Sequence, residues 1–343
     1  MPILECILID ASTDVIKLTG NDMELGIETK VEGNILEKGK IALDAKLFSE
    51  ITRKLSDGDS MVTIESDEKY NTTITCDNSV FRIQGKDGDE FSYLPYIEKN
   101  KYICLSQFTL KELIRQTIFS ISDNESNRMM SGELLQIDQD QLRLVSLDGQ
   151  RISIRKISLK ESYDPIKAVI PGKTLNEISK ILSGDMDDDV RIYFTDRHVL
   201  FEFDQTVVVS RLLEGEYFQI DKMISSDYNT KITINKKELQ GCIERASLLI
   251  RESERKPIII NVTDGSMEMK IQSAMGSMNE DIDISKEGRD IMIGFNPKFI
   301  LDALRVIDDE EITMYLVNPK APFIIKNDEQ SYIYLVLPIS FNM

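Results

Sequence analysis

Three stretches of this 343-residue chain align without a gap, and that repeat limits the fold more than any other feature. They are Asp44–Leu55 (DAKLFSEITRKL), Pro171–Leu182 (PGKTLNEISKIL) and Asn296–Ile307 (NPKFILDALRVI), offset by 127 and 125 residues. Each opens on a residue suited to a helix start: an aspartate, a proline, or an asparagine followed by proline. Apolar residues then recur at helical spacing, and Leu47, Ile51 and Leu55 are expected to bury against a sheet. Acidic turns follow (Asp57–Asp59, Asp185–Asp189, Asp308–Glu311), and strand-like runs begin at Val62, Val190 and Ile312.

A second element occurs twice, at Ile103–Thr117 and Ile232–Ala246, offset by 129 residues. A short alternating strand runs into an N-cap, Ser106 or Asn235, and then an amphipathic helix. β-rich stretches begin at Ile3, Gly132 and Pro257. The chain therefore reads as α+β, three similar domains at residues 1–100, 101–228 and 229–343. The first reads as lacking the opening strand and helix that the other two carry.

Few chemistries survive the composition. Hydrophobic residues make up 41% and charged residues 29%, which fits a globular chain. No apolar run reaches the ~20 residues of a membrane span, and the start lacks the pattern of a secretory signal. Cys6, Cys76, Cys104 and Cys242 lie scattered in apolar runs without metal-ligand spacing, the pattern of buried reduced thiols in a cytoplasmic protein.

The tetrapeptide Pro171-Gly172-Lys173-Thr174 imitates the end of a phosphate loop, but Lys167 stands where that loop needs its first glycine. The repeat supplies the better reading, because Lys46, Lys173 and Lys298 are one position of the unit and the other copies carry no such glycines. Asp185–Asp189 imitates a calcium loop, but Val190 replaces the required glycine and Asp196 the closing glutamate. His198, the single histidine, lies in an alternating run and has no second histidine to share a metal. No catalytic motif, cofactor site or metal site is expected, so the chain reads as a non-enzyme.

The net charge of −18 hides an asymmetry. The five expected helices, at 45–56, 107–122, 172–183, 235–251 and 296–307, together carry +7, leaving −25 for the remainder. Lys46 and Arg53 lie about two turns apart, hence on one helix face, and the repeat reproduces both basic positions in all three copies. Three units arranged about an axis with these helices inward would give a basic lining in an acidic shell. Such a lining attracts a polyanion through its phosphates without reading bases.

Several motifs make the chain similar to the bacterial DNA polymerase III beta subunit family, the sliding clamps. They are Leu147-Asp148-Gly149-Gln150-Arg151-Ile152, Arg211-Leu212-Leu213-Glu214-Gly215-Glu216-Tyr217, Gly294-Phe295-Asn296-Pro297-Lys298-Phe299 and Tyr334-Leu335-Val336-Leu337-Pro338-Ile339. The resemblance implies the DNA clamp fold, with helices on the inner face and antiparallel sheets outside, in a head-to-tail homodimeric ring. It implies a processivity factor that encircles duplex DNA without sequence preference and tethers the replicative polymerase. The other reading is a peptide-binding scaffold of clamp fold that does not encircle DNA because its first domain is incomplete.

In that family picture Lys46, Arg53, Lys111, Arg115, Lys173, Lys180, Lys236, Lys237, Lys298 and Arg305 face DNA. A groove for short peptides from the polymerase, the clamp loader and repair proteins would be lined by Met130, Leu147, Gly149, Gln150, Arg151, Ile152, Phe218, Met223, Asn296, Phe299, Leu335, Leu337, Pro338 and Ile339. Phe81 and Ile83 would meet Leu248 and Leu249 of a second copy. Gln150 and Phe218 depart from the residues usual at their positions, which bears on groove shape.

Overall fold

The computed structural model describes residues 2–55, 60–123, 127–224, 227–251 and 256–341. The acidic turn expected at Asp57–Asp59 lies outside them, as does residue 56 at the end of the first expected helix. Five α-helices occur among the described residues: α1 (Ala45–Thr52), α2 (Gln107–Arg115), α3 (Gly172–Ile181), α4 (Lys236–Ser247) and α5 (Pro297–Leu304). Each is shorter than its apolar periodicity, because the last apolar residues pack from turns rather than from a further helical turn. Side chains cap the starts of α1, α5 and α4. Asp44 accepts from Leu47 N, Asn296 from Lys298 N, and Asn235 from both Lys237 N and Glu238 N. Pro171 begins α3 with no side-chain bond, its fixed φ serving instead.

The chain divides into two compact units, Met1–Phe108 with Ser183–Leu212 and Thr109–Leu182 with Leu213–Met343. The first contains a nine-stranded antiparallel sheet in the order Lys86–Asp87, Lys40–Asp44, Cys6–Asp10, Ile16–Asn21, Leu25–Val31, Thr206–Arg211, His198–Phe203, Asp189–Phe194, Tyr102–Ser106. Its continuity rests on the pairing of Val208 with Ile27 and Thr206 with Thr29, which carries the first repeat's strands onto those of the second. A three-stranded sheet, Val62–Ser66, Asn71–Cys76 and Ser79–Gln84, completes this unit. α1 packs Phe48 and Ile51 against Ile9, Ile41, Leu43 and Ile74.

Leu47, expected inside, is 42% exposed. The helix presents the next residue along, so the buried pair is Phe48 and Ile51 rather than Leu47 and Ile51. The run from Arg191 to Phe203 is a hairpin of two strands, Asp189–Phe194 and His198–Phe203, rather than one. The four cysteines are free thiols, and burial pushes the Cys242 thiol up to about 12.

The second unit holds a seven-stranded sheet in the order Gly132–Leu147, Arg151–Pro171, Tyr332–Val336, Phe323–Lys326, Glu311–Leu316, Thr230–Asn235, Ser285–Gly288. A four-stranded sheet follows the order Gly276–Asp283, Ser266–Ser273, Ile258–Thr263, Ile291–Phe295. α4 and α5 sit in the core between them, with Leu239, Cys242, Ile243, Ile300 and Leu304 all buried. Phe295 and Phe323, each fully buried, meet ring to ring at 4.2 Å, one from each sheet. Phe295→Ala opens a cavity there and is expected to lower unfolding stability by ~3–5 kcal/mol, to be checked by urea denaturation.

Candidate nucleic-acid interface and apolar trough

Lys46, Lys173 and Lys298 are all exposed and all stand second in their helices, after Ala45, Gly172 and Pro297. Local helix physics does not explain that placement, since a cation in the first turn opposes the macrodipole. Arg53 and Arg305 lie at the C-caps of α1 and α5 and Lys180 in the last turn of α3, where the dipole favours them. Lys180 pairs with Glu177 at 2.9 Å and Arg305 lies 3.8 Å from Asp302, exposed pairs worth little. Lys237 is exposed at the start of α4.

Three of the expected DNA-facing cations are occupied internally instead. Lys111 Nζ donates to the Leu182 carbonyl at 3.0 Å, at the C-cap of α3. Lys236 Nζ donates to the Ile307 carbonyl, the equivalent residue just beyond α5. Both lysines are half-buried and tie one helix of a pair to the end of the other. Arg115, half-buried, grips Glu112 with two nitrogens, and Glu112 is the main reason its charge is held more firmly than usual. The helical spacing of these residues is correct, but the carbonyls that hold Lys111 and Lys236 lie 71 positions away and were invisible in one dimension.

The expected peptide-groove residues divide into two neighbourhoods of the second unit. Leu147, Ile152 and Leu335 belong to one buried apolar cluster with Leu134, Val145, Val169 and Ile333, and Met130 and Phe218 pack half-buried against it. Sequence reasoning missed Met129, Tyr217 and Ile224, which pack in or against the same cluster from segments that carry no period, and Tyr315, which reaches it from the Glu311–Leu316 strand. Gly149 turns at φ +87°, and a Cβ there would point at Met130 Cε, 3.9 Å away. Gln150 is exposed, and its carbonyl accepts from Leu337 N at 2.8 Å, holding the tail beside the turn. Leu337 and Met223 remain 39% and 44% exposed. Ile339 N bonds the Gly294 carbonyl, which fixes the Pro338–Ile339 segment beside the start of α5.

Arg151 and Asn296 are spent on the fold. Arg151 is buried, with Nε on Asp148 at 2.9 Å, Nη1 on Asp302 at 2.7 Å and Nη2 on the Phe119 carbonyl, while its guanidinium lies 4.5 Å from the Phe299 ring. Asn296 Oδ1 caps α5. Phe81 and Ile83 pack half-buried on their own core, and Val80, just before them, is 52% exposed on a strand at a sheet edge. Leu248 is 74% exposed at the C-cap of α4, whereas Leu249 packs on the core.

No cluster of three or more histidine, cysteine or acidic side chains suits a metal among the described residues, and no described helix is long and apolar enough to cross a membrane. Burial, then Arg211 and Arg197, hold the His198 imidazole below its usual range.

Repeated basic helices on antiparallel sheets, with a buried apolar cluster in the second unit, define a clamp-type α+β protein. The family models of the DNA polymerase III beta subunit match along the chain: the N-terminal domain at residues 1–95, the central domain at 104–219 and the C-terminal domain at 221–340. A beta sliding clamp of Staphylococcus aureus is 34% identical over 350 residues, spanning 99% of this chain and 92% of its own length. A crystal structure of a DNA polymerase III beta subunit from Eubacterium rectale superposes with TM-score 0.97 at 64% identity, covering 100% of this chain and 93% of that one. The sliding clamp of Bacillus subtilis gives 0.94 at 35%, with the same coverage. The chain belongs to the DNA polymerase III beta subunit family, the bacterial sliding clamps.

Arg151→Met would leave the largely buried Asp148 without its cation and Asp302 with only the more distant Arg305. The expected cost is ~3–5 kcal/mol, measured as a shift in the urea midpoint.

Proposed function

We propose that this chain is a processivity clamp: two copies close head to tail around duplex DNA and tether the replicative polymerase to it. The reading rests on family membership and on one observation, the lysine kept at the second helical position in all three repeats against the local dipole. A charge retained where it weakens its own helix answers to a partner, and sequence-independent phosphate attraction supplies one. Lys46, Arg53, Lys173, Lys180, Lys237, Lys298 and Arg305 form this DNA-facing set. Lys111, Arg115 and Lys236 hold helices in place and add only to the general field. Three clamp domains, at 1–100, 101–228 and 229–343, supply the repeat. The Ser79–Gln84 edge with Val80, and Leu248 of a second copy, close the dimer. The chain works in the cytoplasm, catalyses nothing itself and needs no cofactor.

The apolar trough receives short extended peptides from the polymerase, the clamp loader and repair proteins. Met130, Met223 and Leu337 offer adaptable apolar contact above the buried Leu147, Ile152 and Leu335.

A ring loaded on circular DNA is expected to stay until the circle is cut; equal loss from circles and linear pieces would overturn encirclement. Sedimentation is expected to show a dimer, a monomer favouring a scaffold that does not encircle DNA. Replacing Lys46 or Lys298 by methionine is expected to lower the salt slope of DNA binding by about one unit each, and Lys111→Met to leave it unchanged. Equal effects at all three positions would contradict the division drawn between them.

A further inference from the structure

Glu133 is fully buried in the second unit, beside the trough. Its neighbour Leu134 faces the trough cluster, so by strand alternation Glu133 faces the opposite side, toward the end of α2. There its Oε2 lies 2.9 Å from Thr117 Oγ1, and its Oε1 has no partner. No cation pairs with it among the described residues, so an ionised carboxylate would be a bare charge in the interior.

The hydrogen count decides which form fits. The Thr117 hydroxyl has one hydrogen and lies 2.8 Å from the Leu113 carbonyl. That carbonyl needs it, because Thr117 N–H has turned to the Ile114 carbonyl as α2 tightens. With the threonine hydrogen committed there, Thr117 Oγ1 faces Glu133 as an acceptor, and the carboxyl must supply the proton between them.

We propose that Glu133 is a neutral carboxylic acid that donates from Oε2 to Thr117, a positioning residue that locks the end of α2 onto the sheet beneath the trough. The same segment is pinned by three further side chains. Tyr334 Oη donates to the Gln116 carbonyl, Ser146 Oγ to the Thr117 carbonyl and Arg151 Nη2 to the Phe119 carbonyl. Glu133 adds the link whose strength depends on pH.

The groups facing it are few. The turn that follows α2 offers Thr117 and the buried Gln116, whose Oε1 also lacks a partner. The Arg151–Pro171 strand places Ile170 opposite. Across the strand, in the apolar cluster, Tyr217 is a phenol driven well above its usual range by burial and then by Glu133. Burial pushes the Glu133 carboxyl up to about 8. The folded state therefore binds more protons than the unfolded one between pH 4.5 and about 8. The contribution to stability is full below pH 4.5, shrinks as pH rises through that window and is gone above about 8.

The test uses the full chain at one fixed concentration, with Glu133→Gln as a neutral isostere that keeps a donor. Between pH 5 and 8 the unfolding equilibrium constant of the wild type is expected to rise about tenfold per pH unit relative to Glu133→Gln, and the two to run parallel above that. Carbon-13 NMR of the wild-type glutamate carboxyls reads the same group without a variant: one native resonance should titrate near pH 8. Parallel stability curves from pH 5 to 8, or a Glu133 carboxyl titrating in the ordinary range, would overturn the proposal. The placing of this lock beneath a peptide trough rests on the function proposed above, but neither readout involves a peptide. Failure of peptide binding would count against the trough and leave the Glu133 result standing.

Discussion

Everything in this molecule depends on amphipathic helices being buried one-sidedly on antiparallel sheets. Phe48, Leu175 and Ile300 are the same repeat position, as are Ile51, Ile178 and Ala303, and all six are buried. Anchoring these positions inward turns the second helical residue outward each time. The exposure of Lys46, Lys173 and Lys298 is thus a geometric consequence of core packing. The hydrophobic term fixes the helix face, and the face displays the charge. In a chain of net charge −18, that is how a locally basic surface arises at all.

Cations in this fold have two different uses. Where a lysine or arginine reaches a helix end or a carboxylate, as Lys111, Lys236, Arg115 and Arg151 do, its charge is consumed in building the fold. Where it stands on the outer face, it remains available to a polyanion. The two classes share residue type and a helical setting, and differ chiefly in neighbours 71 to 193 positions away in sequence, as in Lys111 with Leu182, Lys236 with Ile307 and Arg115 with Asp308. For Arg115 the nearer partner, Glu112, lies on its own helix and was visible in sequence.

The trough shows the same division between apolar and polar roles. One face of the Gly132–Leu147 and Arg151–Pro171 strands carries Leu134, Val145, Leu147 and Ile152 toward the apolar cluster. The other carries Glu133, Ser146, Arg151 and Ser153, which with Tyr334 from the neighbouring strand hold the segment that follows α2. The apolar cluster on one side is backed by a polar seam on the other, and each link in that seam anchors a buried backbone or hydroxyl group.

The repeat, the helix caps, the strand starts and the basic positions were legible in the chain alone, because they are set by local period and by residues a few positions apart. Leu147, Ile152 and Leu335 were identified as neighbours through family likeness, and burial agrees in placing them together. Sequence by itself did not determine that Phe48 rather than Leu47 faces inward, that Lys111, Lys236 and Arg151 are consumed by the fold, or that Glu133 is fully buried with no cation paired to it among the described residues. Each of those depends on which distant segment lies against a given side chain. That is decided by sheet pairing and helix docking, which no short-range pattern encodes.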